Sequence, residues 1–454
     1  MVKILHFADA HIDMANYGRQ DPATGLPLRV MDFLKSLDEI VDSAISEQVD
    51  LVIFAGDAYK NRDPAPTFQR EWGKRIMRLS RAEIPTVLVV GNHDVSPSVA
   101  RAHALEEFST LDVPHVLVVD RPAFLGPKEL SGLCPKGKQL DLQLLAVPWV
   151  SRSGLMAYLD LPTRDLNQLH LEMEKRLSNV LEKWLSKADP AVPTILTAHA
   201  SVEGAVYGGE RTVLLGKDFV LPRSLVVDPR LDYVALGHIH KEQDLNENNH
   251  PPVIYPGSIE RVDFGEARDE KYFVVAEVDS GQSGITWREL ANIRPFHDCR
   301  LSLVVQDDIT GQMTNALPPR RAMDDAIVRL VLEYPRAWGP LIDDQAIQEY
   351  AAGAFEFHLV KRPRMKERIR LPQNQMVGEL TAVELLEKYW QASFTPEDEV
   401  KALTAVGELW TSGIEIDWQG YHREDRRRVP LPTYPFERER HWIEVTPRDE
   451  TGDE

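Results

Sequence analysis

Short apolar runs alternate with longer amphipathic stretches along the first half of the chain. Residues 3–8 (KILHFA), 50–55 (DLVIFA), 87–90 (VLVV), 142–147, 194–198 (TILTA) and 232–236 (DYVAL) are nearly unbroken in apolar residues. Unbroken rather than alternating apolarity marks strands buried on both faces, as in a parallel sheet. Between the runs, residues 27–48 place Met31, Leu34, Leu37, Ile40, Val41 and Ala44 at helical spacing, and residues 63–82 do the same with Phe68, Trp72, Ile76 and Leu79. Residues 162–187 carry a third such face through Leu166, Leu169, Met173, Leu177, Val180, Leu181 and Trp184. A helix over 100–111 and strands over 116–119, 253–256 and 272–277 complete the pattern. Strands that alternate with amphipathic helices predict an α/β fold whose ligands gather beyond the carboxyl ends of the strands.

The polar residues that end these runs are the informative ones. The first strand stops at Asp9-Ala10-His11, the second at Gly56-Asp57, and the third at Gly91-Asn92-His93-Asp94. The strand at 194–198 stops at His199, and the strand at 232–236 stops at Gly237-His238-Ile239-His240. One Asp-x-His loop is as well explained by a capping carboxylate beside a surface histidine; five such endings in one chain are not. The donors are oxygen and imidazole without thiolate, a set that suits manganese, iron or zinc pairs better than calcium. Two such ions can share a carboxylate and neutralise the charge that develops in an in-line attack on phosphorus. Asp57 is the natural bridge, with Asp9, His11 and His240 completing one metal site and Asn92, His199 and His238 the other. His93 stays outside the ligand set, placed to contact a phosphate or protonate the departing oxygen, and Asp94 is expected to orient it.

Composition narrows the class. The 454 residues are 43% hydrophobic and 27% charged, no apolar run approaches the ~20 residues of a membrane span, and MVKILHFADAHI is too polar for a signal peptide. A cytoplasmic protein that does not engage a membrane is expected. Cys134 and Cys299 are the only cysteines, which excludes a disulfide framework or a thiolate zinc site. A net charge of −19 opposes nonspecific binding to nucleic acid, although bound metal ions can offset carboxylates where a phosphate must approach. From residue 294 the pattern changes: strands over 300–305, 326–333 and 355–361 with a helix over 343–353 predict a small α+β domain. Residues 361–370 hold six basic side chains and one acid, a candidate phosphate contact or a solvated linker. Amphipathic helices over 381–391 and 396–410 suit docking on a partner or on the chain itself.

The motifs Asp9-x-His11, Gly56-Asp57, Gly91-Asn92-His93-Asp94, His199 and Gly237-His238-x-His240 resemble those of the calcineurin-like metallophosphoesterases. That resemblance implies a four-layer α/β architecture, a sandwich of two β-sheets flanked by helices. Over residues 1–405, and through AIVRLVLEY and LTAVELLEKYW, the chain is further similar to the nuclease components of SbcCD-type DNA repair complexes. The implied organisation is a nuclease domain (1–290), a capping domain (291–372), a helical segment docking on an SbcC-type ATPase (373–410) and an irregular tail (411–454). The implied activity is exonucleolytic and endonucleolytic cleavage of DNA with two Mn2+ ions, in a homodimer to which the Phe68, Trp72 and Ile76 stripe, otherwise a core face, then contributes. Two features depart from that family. Lys60 stands where related enzymes place an acid or a histidine, and could bind a phosphate. Residues 406–444 resemble instead the linker after polyketide synthase acyltransferase domains, without any synthase motif. A small-molecule phosphodiesterase with the same metal site and a non-catalytic docking scaffold are the competing expectations.

Overall fold

A computed structural model describes residues 1–16, 19–96, 102–149, 166–208 and 220–364, with scattered positions between 401 and 417. The strands of the first part are β1 (Val2–Phe7), β2 (Leu51–Phe54), β3 (Thr86–Val89), β4 (Val116–Val119), β5 (Ala123–Leu125), β6 (Gln143–Val147) and β7 (Thr194–His199). They are followed by β8 (Ser201–Val202), β9 (Val220–Leu221), β10 (Tyr233–Gly237), β11 (Gln243–Asp244), β12 (Val253–Tyr255), β13 (Tyr272–Asp279) and β14 (Gln282–Glu289). Two six-stranded sheets result, ordered β14-β13-β1-β2-β3-β4 and β11-β12-β10-β7-β6-β5, with β8 and β9 paired beside them. Strands β1, β2 and β3 run parallel, as do β6, β7 and β10, so their carboxyl ends collect on one edge of each sheet.

Alternate side chains of these strands go to opposite faces, as the strand period of two requires. Ile4, Ile53, Val87 and Val89 meet Leu144, Ile195, Tyr233 and Ala235 in a core between the sheets. Leu5, Phe7, Val52, Phe54 and Leu88 turn outward, beneath Val30, Phe33 and Leu37 of helix α1 (Leu28–Ser46) and Trp72 and Ile76 of helix α2 (Pro66–Arg81). The outer face of the second sheet is covered in the same way by Leu181 and Leu185 of the helix Leu166–Leu185. The layers are therefore helix, sheet, sheet, helix, the four-layer α/β sandwich that the strand pattern and the family resemblance imply.

The α2 stripe belongs to this core. Trp72 and Ile76 are fully buried and only Phe68 is partly exposed, so the stripe is not available as a dimer surface. The Trp72 ring lies 4.9 Å from that of Phe54 and 6.2 Å from that of Tyr59, centroid to centroid. Trp72→Ala is expected to cost about 3–5 kcal/mol of stability through the cavity it leaves. Urea unfolding of the two proteins measures this, and a loss below about 1 kcal/mol would return the residue to the surface.

Strands β15 (Phe296–Ser302), β16 (Ile327–Pro335) and β17 (Glu356–Arg364) form a separate parallel sheet. It packs on the helices Ile309–Ala316 and Asp344–Tyr350 around Leu303, Met313, Leu330, Leu332 and Ile347. Strand β15 begins at Phe296 rather than at residue 300, because Phe296 is anchored with Ile327 and Phe355 in a small core beside Leu28 and Phe264. The edge strand β14 escapes the sequence pattern for a related reason: its side chains are mostly half-buried or exposed, and its pairing with β13 alone defines it.

Residues 1–364 form one compact unit. At the joint between the sandwich and the small sheet, Asp32 Oδ1 accepts from Arg294 at 2.8 Å, while Arg29 on the same helix as Asp32 holds its Oδ2 at 3.1 Å. The Arg294 guanidinium also lies over the Phe355 ring, 3.9 Å from its centroid. A second unit begins at Met365, and residues 401, 402, 404–406, 408 and 409 within it are helical. The basic residues beyond Arg364, the helix over 381–391, most of the helix over 396–410 and the tail from 418 lie outside the described residues. No described helix is long and apolar enough to cross a membrane.

Candidate metal centre

The polar strand ends meet at one place because β1, β2, β3, β7 and β10 deliver them to facing edges of the two sheets. Past β1, the amide of Asp9 donates to the carbonyl of Gly56 at 2.9 Å and that of Ala10 to the carbonyl of Asp57 at 2.8 Å. Past β10, the amide of His238 donates to both oxygens of Asp9, at 3.0 and 3.2 Å. Asp9, His11, Asp57 and His238 all have positive φ, at 51°, 40°, 65° and 100°. This region costs a residue with a side chain roughly 1–2 kcal/mol, and such strain concentrates at functional sites. Two glycines make room. A Cβ on Gly56, whose own φ is 101°, would lie 2.3 Å from Nδ1 of His199, and one on Gly91 would lie 2.2 Å from Oδ1 of Asp57.

Two groups of ligand-type atoms result, Asp9 with His11 and His240, and Asp57 with His199 and His238, each within 4.8 Å. All six residues are buried. Asn92, also buried, joins the second group through Oδ1, 2.9 Å from both His199 Nε2 and His238 Nδ1. The hydrogen bonds around the rings fix where their protons sit. Tyr59 O lies 3.2 Å from His11 Nδ1 and Glu266 Oε1 2.8 Å from His240 Nδ1, and each can only accept. In the neutral rings both Nε2 atoms are then lone pairs, and they face each other at 3.0 Å. His199 Nδ1 donates to Ala55 O at 2.7 Å, which turns its Nε2 lone pair toward Asn92 Oδ1 and toward Asp57 Oδ2 at 3.4 Å. Acceptors that converge on acceptors need a proton or a cation among them, and this donor set fits a pair of divalent ions.

Electrostatics point the same way. Burial raises Asp9 to about 7 against the pull of His199 and His240, while Asp57, which burial alone would raise, is held well below the carboxylate range by His199. Burial alone would lower His199, but the charge and hydrogen bond of Asp57, with Asp9, lift it to about 9. In the absence of an ion a proton on His199 thus offsets the two carboxylates. Metal binding displaces such protons.

His93 is half-buried, its ring 5.3 Å from that of His11. Its amide donates to Asp57 Oδ1 at 2.8 Å and its Nδ1 lies 2.6 Å from the carbonyl of Lys60. Asp94 does not orient it. The Asp94 carboxylate instead accepts from the amides of Asp57 and Gly91 at 2.9 Å and of Ala58 at 3.0 Å, fastening the β2 loop to the β3 loop. A side chain one residue along from His93 in a tight turn points elsewhere, and three convergent amides claim it. The part expected of Asp94 is taken by the Lys60 carbonyl.

Sequence reasoning passed over four residues. Asp13 is buried and ties down the loop that carries Lys60, accepting from the amides of Lys60 and Asn61; the spacing Asp9-x-His11-x-Asp13 was its signal. Trp149, after β6, sets its ring 5.1 Å from that of His238, although its strand end carries no ligand-type residue to draw notice. Glu266 and Lys271 pair at 2.7 Å behind His240, and no motif marks them.

Residues 2–242 match the calcineurin-like phosphoesterase family. The chain is 27% identical over 357 residues to SbcD of the SbcCD nuclease of Rhodobacter capsulatus, covering 75% of this chain and 79% of that protein. It is 26% identical over 300 residues to SbcD of the SbcCD nuclease of Bacillus subtilis, covering 64% and 69%. It is also 26% identical over 272 residues to the DNA double-strand break repair protein Mre11 of Archaeoglobus fulgidus, covering 59% of this chain and 52%, about half, of that protein. The family match spans every strand end described above, from Asp9 to His240, and the chain is an enzyme of the calcineurin-like phosphoesterase family.

Proposed function

We propose that the chain is a DNA nuclease that hydrolyses phosphodiester bonds with two divalent ions, Mn2+ in the first instance. In this reading it is the SbcD-type nuclease of an SbcCD-like complex and works as a homodimer with an SbcC-type ATPase. The observation that carries the chemistry is the convergence of acceptor atoms from five strand ends on two points, one among Asp9, His11 and His240 and the other among Asp57, His199 and His238. The DNA substrate and the ATPase partner are supported by the SbcCD proteins that the chain resembles over most of its length.

Asp9, His11 and His240 would hold one ion and Asn92, His199 and His238 the other, with Asp57 the carboxylate they would share. When bound, such a pair supplies a nucleophile from water and neutralises charge at the phosphorus. The chain's own contribution is positioning. Positive-φ turns aim Asp9, His11, Asp57 and His238 inward, and Asp94 locks the β2 and β3 loops together. His93, with its Nδ1 committed to the Lys60 carbonyl, is left to present Nε2 to a phosphate oxygen or to the leaving group.

Cleavage of linear duplex DNA with Mn2+ tests the proposal, with His93→Ala as a control. Loss of cutting in the variant supports the assignment, whereas equal cutting by both proteins contradicts it. Turnover of model diesters without DNA cleavage, even with the ATPase added, would favour a small-molecule phosphodiesterase. Lys60 offers a further test. Lys60 is half-buried, its carbonyl lies 2.6 Å from His93 Nδ1, and its charge adds to burial in lowering His93 and His11, so it is a close neighbour of both rings. Lys60→Ala is expected to slow cutting about 10- to 100-fold without loss of bound metal; an unchanged rate would make this lysine a surface residue.

A further inference from the structure

His240 is gripped by a buried cluster that the proposed reaction does not use. Its Nδ1 lies 2.8 Å from Glu266 Oε1. The other carboxylate oxygen, Oε2, accepts from the hydroxyl of Ser258 at 3.0 Å, the amide of Val262 at 3.1 Å and the ammonium of Lys271 at 2.7 Å. Lys271 spends its remaining donors on Ser258 Oγ at 2.8 Å and on the carbonyl of His240 itself at 3.3 Å. The Ser258 amide reaches the same carbonyl at 3.1 Å. Glu266 and Lys271 are each 1% exposed. Glutamate and lysine are rarely so buried, and a pair formed only for stability has no reason to close on one histidine. Here it closes on both the ring and the carbonyl of His240.

We infer that Glu266 is a positioning residue for the metal centre, and that Lys271 and Ser258 hold it in that role. A carboxylate only accepts, so Glu266 requires the proton of His240 on Nδ1 and thereby presents Nε2 to the ion shared with Asp9 and His11. Lys271 occupies the second oxygen, which keeps Glu266 from turning into the site as a competing ligand. Without Glu266 the ring loses the acceptor that holds its proton on Nδ1. The inference rests on the proposed two-ion centre.

Calorimetric titration of Mn2+ into the metal-free protein tests it, with melting curves to confirm folding. The wild type is expected to bind two ions. Glu266→Ala should weaken one of them about 10- to 100-fold and leave the other unchanged. Glu266→Gln, whose amide oxygen still accepts from Nδ1, should recover part of the loss, and weakening confined to one ion is what a general loss of packing would not explain. If Glu266→Ala fails to fold, Glu266→Leu combined with Lys271→Met leaves no buried charge unpaired and should show the same one-site weakening. Two ions bound with wild-type affinities in Glu266→Ala, or in that double variant, would overturn the inference. A wild type that binds no ion would contradict the two-ion centre itself.

Discussion

Asp57→Asn is expected to abolish Mn2+-dependent cutting of linear DNA while the protein stays folded. Residues that merely orient metal ligands typically account for about 10- to 100-fold in activity. A carboxylate shared by both ions should account for more, about 1000-fold or greater. Asparagine is the right replacement because Asp57 sits at a φ of 65°, a region that asparagine tolerates better than alanine. The backbone of the residue is anchored independently of its charge, through its amide to Asp94 and its carbonyl to the amide of Ala10. A melting transition near that of the wild type, with cutting lost, is the predicted pair of results. Undiminished cutting would remove Asp57 from the centre.

Acid is expected to destabilise the protein through His6, starting near pH 6.5. His6 projects from β1 into the core between the sheets, its Nδ1 2.9 Å from the hydroxyl of Tyr233 and its Nε2 3.2 Å from the carbonyl of Leu236. Burial lowers it from 6.5 to about 3, only partly opposed by the Leu236 hydrogen bond. Because the folded-state value lies below the unfolded one, the unfolded chain takes up the proton first. The contribution of His6 is complete above pH 6.5 and is lost as pH falls toward 3. At roughly 1.4 kcal/mol per unit, the span is worth about 5 kcal/mol. Urea unfolding of wild type and His6→Gln between about pH 7 and 5 should show stability falling more steeply in the wild type. The difference between the two proteins isolates His6, because Asp9 and Asp94, raised to about 7, take up protons with the opposite effect in both. Parallel profiles would mean that His6 is solvated.

The sandwich was legible because its central strands are buried on both faces, and short unbroken apolar runs rich in Val and Ile fit such strands better than a buried helix. The centre was legible because its residues follow those runs directly, so that Asp9, Asp57 and Asn92 come to the edge of one sheet and His199 and His240 to the facing edge of the other. What could not be read depends on contacts between distant segments. Glu266 lies in the short turn Phe264–Glu266, and only the fold carries it to His240. Asp94 follows His93 in sequence, yet three amides from two loops decide where its carboxylate goes. Trp72 and Ile76 fit a core face or an interface equally well as a pattern, and only the packing of α2 on β2 distinguishes the two. The half-exposed strand β14 and the early start of β15 were missed for the same reason, since their partners rather than their own periodicity define them.

The central claim is that these strand ends hold two ions on either side of Asp57. Crystals soaked in Mn2+ and measured at the manganese absorption edge test it most directly. Two anomalous peaks are predicted, one among Asp9, His11 and His240 and one among Asn92, His199 and His238, with Asp57 in contact with both. A single peak, or peaks away from Asp57, would contradict the account.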